Sequence, residues 1–162
     1  MKTDLKTTSE KLFSVLSEKK VTFGTAESCT GGLIAKTVTD LSGISEYYYG
    51  TVVSYSNSVK QNVLNVKEDT LKQYGAVSSC TAVQMAEGAR DVLGCDYAVS
   101  TTGIAGPTGG TKEKPVGLVY IACAGKGKKT VVTENHFSGT RKEIREQATE
   151  KALNMLIEQI EK

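Results

Sequence analysis

The sequence predicts a single α/β domain over residues 1–162: a three-layer α/β/α arrangement around a mixed sheet of about five strands. Two patterns carry that expectation. Short runs of β-branched and aromatic residues alternate with longer segments whose apolar residues recur at helical spacing. Near the end, the polar stretch "GKGKK" separates two apolar runs and reads as a hairpin tip, so one pairing at least is antiparallel and the sheet is mixed. No internal repeat, low-complexity segment or long linker divides the chain.

The elements follow in order. Residues of about 8–19 place Leu12, Phe13 and Leu16 on one helical face. "VTFGTA" alternates Val21, Phe23 and Thr25 as a short strand. From about Thr30 a helix carries Leu33, Ile34 and Val38, with Gly43 as its stop. "EYYYGTVVSYS" reads as a strand. A helix over "SNSVKQNVL" follows, capped by Ser56 or Asn57, with Val59 and Val63 on one face. A short helix spans Glu68 to Tyr74 and ends at Gly75. Ser78 or Ser79 opens the next, through Val83, Ala86, Ala89 and Val92 to Gly94. "DYAVSTT" is a strand leading into the loop "GIAGPTGGTKEKP". "VGLVYIACA" is almost continuously apolar, as a central strand covered on both faces would be. After the hairpin tip comes the strand "TVVTENHF". The last helix opens on a capping box, Thr140 with Glu143, and turns Ile144, Ala148, Ala152, Met155 and Leu156 to one side.

Composition narrows the function classes. With 39% apolar and 23% charged residues the chain suits a folded domain, and a net charge of +2 offers no strong field to nucleic acid or an anionic membrane. No apolar run approaches the ~20 residues of a membrane span. The first twenty residues are too polar for a signal peptide, so the expected location is the cytoplasm. The four cysteines, Cys29, Cys80, Cys95 and Cys123, form no C-x-x-C pair, so reduced thiols are expected rather than a zinc site. The single histidine, His136, excludes a multi-histidine metal centre, and a Ser-His-Asp or Cys-His site would have to use it. Cys29 and His136 read as structural, and neither metal nor cofactor is expected.

Four stretches could carry chemistry. "AESCTGG" puts Ser28, Cys29, Thr30, Gly31 and Gly32 between a strand and a helix, where free backbone N–H groups would suit an oxyanion or a phosphate. The alternative is that Ser28 or Thr30 only caps the helix. "YSNSVK" ends a strand with Tyr55 and places Lys60 one turn into the next helix. A lysine neutralised by burial can serve as base for a serine hydroxyl, and the alternative is a sheet-edge tyrosine with a solvated lysine. "GIAGPTGG" offers a backbone-rich cradle, including Gly106, Thr108, Gly109 and Gly110, or an ordinary glycine-rich turn. "GTRKEIREQ" sets Arg141 and Arg145 at a helix start, against the dipole unless an anion binds there; otherwise they belong to a solvated, ion-paired face.

Taken together, "TAESCTGGLIA", "TVVSYSNSVK", "YGAVS", "STTGIAGPTGGTKEKPVGLVY" and "FSGTRKEIREQA" resemble the CinA C-terminal domain family in order and spacing, from about Lys11 to Ile157. The resemblance implies an amidohydrolase that converts nicotinamide mononucleotide to nicotinic acid mononucleotide and ammonia, in pyridine nucleotide salvage. The family's serine, tyrosine and lysine fall on Ser28, Tyr55 and Lys60. Thr30, Gly31, Gly32, Gly106, Thr108, Gly109, Gly110, Arg141 and Arg145 are then the expected substrate-binding residues. The length leaves no room for the extra N-terminal domain of larger members, and the resemblance also implies a homodimer or higher homo-oligomer. A second reading, suggested by the family's competence-related name, is a weakly active or inactive nucleotide-binding or protein-interaction module.

Overall fold

The computed structural model describes residues 2–162. Five strands form one sheet in the order β2-β1-β3-β4-β5, with β1 Phe23–Glu27, β2 Tyr48–Val53, β3 Tyr97–Gly103, β4 Leu118–Gly125 and β5 Val131–His136. β1 pairs in parallel with both β2 and β3. β4 is antiparallel to both neighbours, so the mixture involves the β3–β4 pairing as well as the terminal hairpin. The helices are α1 Leu5–Lys19, α2 Leu33–Thr39, α3 Asn57–Asn62, α4 Glu68–Tyr74, α5 Ser79–Leu93 and α6 Arg141–Glu161, with a 3-10 turn at Ile44–Glu46.

Strand alternation divides the core. Phe23, Val99, Val119 and Ile121 project to the face covered by α1, α2 and α6, where they meet Leu12, Leu16, Ile34, Ile144, Leu153 and Leu156. Ala26, Ala98, Ala122 and Ala124 project to the opposite face, where Ala82, Met85, Ala86 and Ala89 of α5 pack. Small residues on that side let α5 lie close. A Cβ on Gly88 would stand 1.9 Å from the Leu64 carbonyl oxygen.

Several boundaries differ from the sequence reading. α1 begins at Leu5, earlier than about residue 8, because Asp4 caps it by accepting from Thr7 N–H. β1 is buried at every position instead of alternating, since both of its neighbours are strands and helices cover both faces. α2 starts at Leu33, not near Thr30: Gly31 and Gly32 hold left-handed backbone, φ 58° and 97°. In α3 the valines do not form the buried face. Val63 is exposed and Lys60 is the buried residue. Gly43 does not stop α2, which ends at Thr39 with Asp40 as its cap; Gly43 opens the 3-10 turn instead. Caps are present as expected at Ser56, Ser78 and Gly94, and in the Thr140–Glu143 box in which each side chain meets the other's backbone N–H.

This topology creates a crevice. β1, β2 and β3 run the same way, and the chain leaves β1 toward β2 on one side before returning across it to β3. The carboxyl ends of such strands, at the point where the strand order reverses, are where open α/β sheets accept ligands. Among the described residues no helix is long and apolar enough to cross a membrane.

Candidate active site

Ser28 is the first residue beyond β1, and its backbone is anchored on both sides. Its N–H donates to Thr101 O at 3.0 Å, and its carbonyl accepts from Gly31 N–H at 3.1 Å. Ser54 follows β2 directly, and its N–H donates to Glu27 O at 2.8 Å. Ser56 then caps α3, accepting from Val59 N–H, and one turn later Lys60 points back beneath the end of β2. Lys60 is 1% exposed. Its Nζ lies 3.0 Å from Ser28 Oγ and donates to the Ser54 carbonyl at 2.6 Å.

No carboxylate pairs with this lysine. Burial therefore lowers its pKa from the ordinary 10.5, partly opposed by the nearby Cys29 sulfur. Cys29 is buried beside the same crevice, and desolvation pushes its thiol up to about 11. A thiol so held is a poor nucleophile at neutral pH, because the thiolate is the reactive form. The structural reading of Cys29 thus has a physical basis.

The crevice encloses about 270 Å³ and is lined by Ser28, Cys29, Tyr55, Asn57, Lys60 and Arg141, together with Ala76, Val77 and the segment from Thr102 to Gly106 with Thr108 and Gly109. Tyr55 and Arg141 stand at its mouth. Arg141, the first residue of α6, donates from one guanidinium nitrogen to Gly106 O at 2.8 Å and from the other to Tyr55 Oη at 3.1 Å. Tyr55 is 63% exposed, and its hydroxyl meets Arg141 rather than Ser28 or Lys60. At the wall, Thr102 Oγ1 donates to Ala76 O at 2.7 Å and ties the segment before α5 to the end of β3.

Other expected site residues do not reach this crevice. Thr30 is fully buried, and its hydroxyl is engaged with Glu27 Oε1 at 2.7 Å and Thr101 Oγ1 at 2.8 Å. The expectation of free N–H groups at the start of α2 is also corrected: Ile34 N–H and Ala35 N–H both donate to the Glu27 carboxylate. Gly31, Gly32 and Gly110 lie outside the lining. Arg145 is not poised for an anion. Its guanidinium donates to the carbonyls of Cys29 at 3.1 Å and Thr30 at 2.6 Å, holding the turn after Ser28 to α6. His136 lies on the edge strand β5, exposed, 2.9 Å from Glu134.

Sequence reasoning missed Glu27, Ser54, Asn57 and the wall at Ala76, Val77 and Thr102. Glu27 left one signal: an acid ending an otherwise small and apolar strand. The others left none, because backbone carbonyls and loop walls have no residue signature. Among the described residues no group of three or more His, Cys, Asp or Glu side chains is placed to hold a metal.

Residues 5–160 match the CinA C-terminal domain. A CinA-like protein of Leptospira borgpetersenii serovar Hardjo-bovis (strain L550) is 52% identical over 153 residues, 94% of this chain and 37% of its own length. Another from Syntrophomonas wolfei is 59% identical over 131 residues, 81% of this chain and 31% of its own length. The chain therefore spans about a third of the length of these curated relatives. The crystal structure of the competence/damage inducible protein CihA from Agrobacterium tumefaciens superposes with a TM-score of 0.95 at 38% identity, covering 100% of this chain and 98% of the other. A CinA superfamily protein from Enterobacter cloacae gives 0.92 at 31% identity, with 99% and 94% covered. By its matched residues and by these relatives alike, the chain belongs to the CinA C-terminal domain family.

Proposed function

We propose that the chain is a metal-independent amidohydrolase acting on the carboxamide of nicotinamide mononucleotide, with Ser28 as nucleophile and Lys60 as general base. The observation that carries this reading is the buried lysine 3.0 Å from a serine hydroxyl at the carboxyl end of a parallel strand. Amide hydrolysis needs a nucleophile, a base, oxyanion donors and a proton for the leaving nitrogen. Neutral Lys60 takes the Ser28 proton across the existing contact. Ser28 Oγ attacks the carboxamide carbon, and the C–N bond breaks as the Lys60 proton passes to the departing ammonia. Water, deprotonated by the same amine, then cleaves the acyl-enzyme to release the carboxylate and restore Ser28.

Gly31 N–H is spent on the Ser28 carbonyl and Ile104 N–H on the Leu118 carbonyl, so the reading assigns the oxyanion to the backbone amides of Ala105 and Gly106 in the crevice lining. Arg141 and the Gly106–Gly109 loop at the mouth suit the substrate phosphate, since guanidinium and backbone N–H groups both favour phosphate oxygens. Tyr55 orients Arg141 and is no proton relay in this reading, because Lys60 meets Ser28 directly. A homodimer or higher homo-oligomer in the cytoplasm remains the proposed setting. Incubating the purified protein with nicotinamide mononucleotide and measuring ammonia and nicotinic acid mononucleotide tests the assignment. No ammonia above the buffer rate would reject it.

A further inference from the structure

Glu27, immediately before Ser28, is fully buried and meets no cation. Five donors converge on its carboxylate instead. Oε1 accepts from Thr30 Oγ1 at 2.7 Å and Ile34 N–H at 2.9 Å. Oε2 accepts from Ala35 N–H at 3.1 Å and from Thr25 and Thr51 Oγ1, each at 3.3 Å. Burying a carboxylate is costly unless its lone pairs are filled. Three threonines and two amides of α2 fill them, where an apolar side chain would have required none of this.

The main chain of the same residue reaches the other half of the dyad. Glu27 O accepts from Ser54 N–H at 2.8 Å, and the Ser54 carbonyl accepts from Lys60 Nζ at 2.6 Å. Its side chain, through Thr30, closes the turn that carries Ser28 and pins that turn to α2. Nucleophile and base are thus both referred to one residue. We propose that Glu27 is a positioning residue that sets the separation of Ser28 Oγ and Lys60 Nζ. The inference rests on the amidohydrolase reading for its kinetic consequence and on geometry alone for the rest.

Glu27→Gln is the sharpest test. Each carboxylate oxygen faces one backbone N–H, so whichever way the new amide turns, its NH₂ confronts the donor of Ile34 or Ala35. A misplaced reacting pair costs on the order of a hundredfold in rate. The expected result is a fall in kcat of about that size with KM little changed, equal for nicotinamide mononucleotide and its dephosphorylated riboside. Crystal structures of wild type and variant should show the Oγ–Nζ separation opening beyond hydrogen-bond reach, more than about 3.5 Å. Thr30→Val removes the shortest of the five donors to Glu27, together with the Thr30–Thr101 hydroxyl contact, and keeps the shape. It should give the same kcat-only loss in smaller measure, and it serves if Glu27→Gln does not fold.

An unchanged kcat, an effect confined to KM, or a variant that keeps the wild-type separation would overturn the positioning role. Wild-type protein that releases no ammonia from either amide would reject the amidohydrolase reading by itself. The crystallographic separation would then decide the role of Glu27 without any kinetics.

Discussion

Lys60 Nζ stands 3.0 Å from Ser28 Oγ although the two residues are 32 positions apart, and the lysine that makes the contact is all but closed to solvent. That pairing separates the two nucleophile candidates of the "AESCTGG" turn. Ser28→Ala should reduce ammonia release by at least about a thousandfold, roughly 4 kcal/mol of barrier, with an unchanged thermal midpoint. Cys29→Ala should retain most turnover, because burial keeps the Cys29 thiol near 11 and hence protonated. A dead Cys29→Ala beside an active Ser28→Ala would reverse the assignment.

The base has a pH signature. Burial lowers the Lys60 pKa below its ordinary 10.5, so the folded state disfavours the charged amine. The stability cost is complete below the folded pKa, shrinks as pH rises between the folded and unfolded values, and vanishes above 10.5. Lys60→Met should therefore be inactive yet no less stable at pH 7 in a urea melt. For the wild type, kcat/KM should climb with pH along one limb and level off below 10.5. Lys60→Arg should be inactive at every pH, since guanidinium does not give up its proton. Near-native turnover by that variant would exclude lysine as the base.

The two arginines of α6 should behave differently. Arg141 faces the crevice mouth, so Arg141→Met should raise KM for the mononucleotide by about tenfold or more, the worth of one charge-assisted contact, and by much less for the riboside, which loses only the Arg141 hold on the Gly106 carbonyl. Arg145 holds two carbonyls of the Ser28 turn. Arg145→Met should lower kcat equally for both substrates and destabilise the fold by about 1–3 kcal/mol, as buried acceptors lose their donor. A KM effect specific to the mononucleotide in Arg145→Met would return that arginine to phosphate binding.

Gly88 tests the packing of α5. Alanine ordinarily favours a helix interior over glycine by about 1 kcal/mol. Here its Cβ would fall 1.9 Å from the Leu64 carbonyl oxygen, so α5 and the connection between α3 and α4 must move apart. Gly88→Ala should cost a net 1–3 kcal/mol or so in urea unfolding, in the manner of overpacked cores. A stabilised variant would mean that the close approach of α5 is not maintained in solution.

Most of the architecture was legible because its causes are local. Caps such as Ser56, Ser78 and Thr140 act within one turn, and the apolar spacing of α6 is a property of that segment alone. The same is true of the covered strand β4 and of the residue types at the crevice: a hydroxyl after one strand, an amine one turn beyond another. What each group does there was decided by the tertiary fold. Thr30 and Arg145 carry the chemistry of ligand-binding residues, yet their donors are consumed by a buried carboxylate and by two carbonyls. Lys60 looks like a solvated helix residue, yet it is closed off beneath the end of β2. Whether a polar group meets water, a ligand or another part of the chain depends on segments far away in sequence, and periodicity carries no record of those encounters.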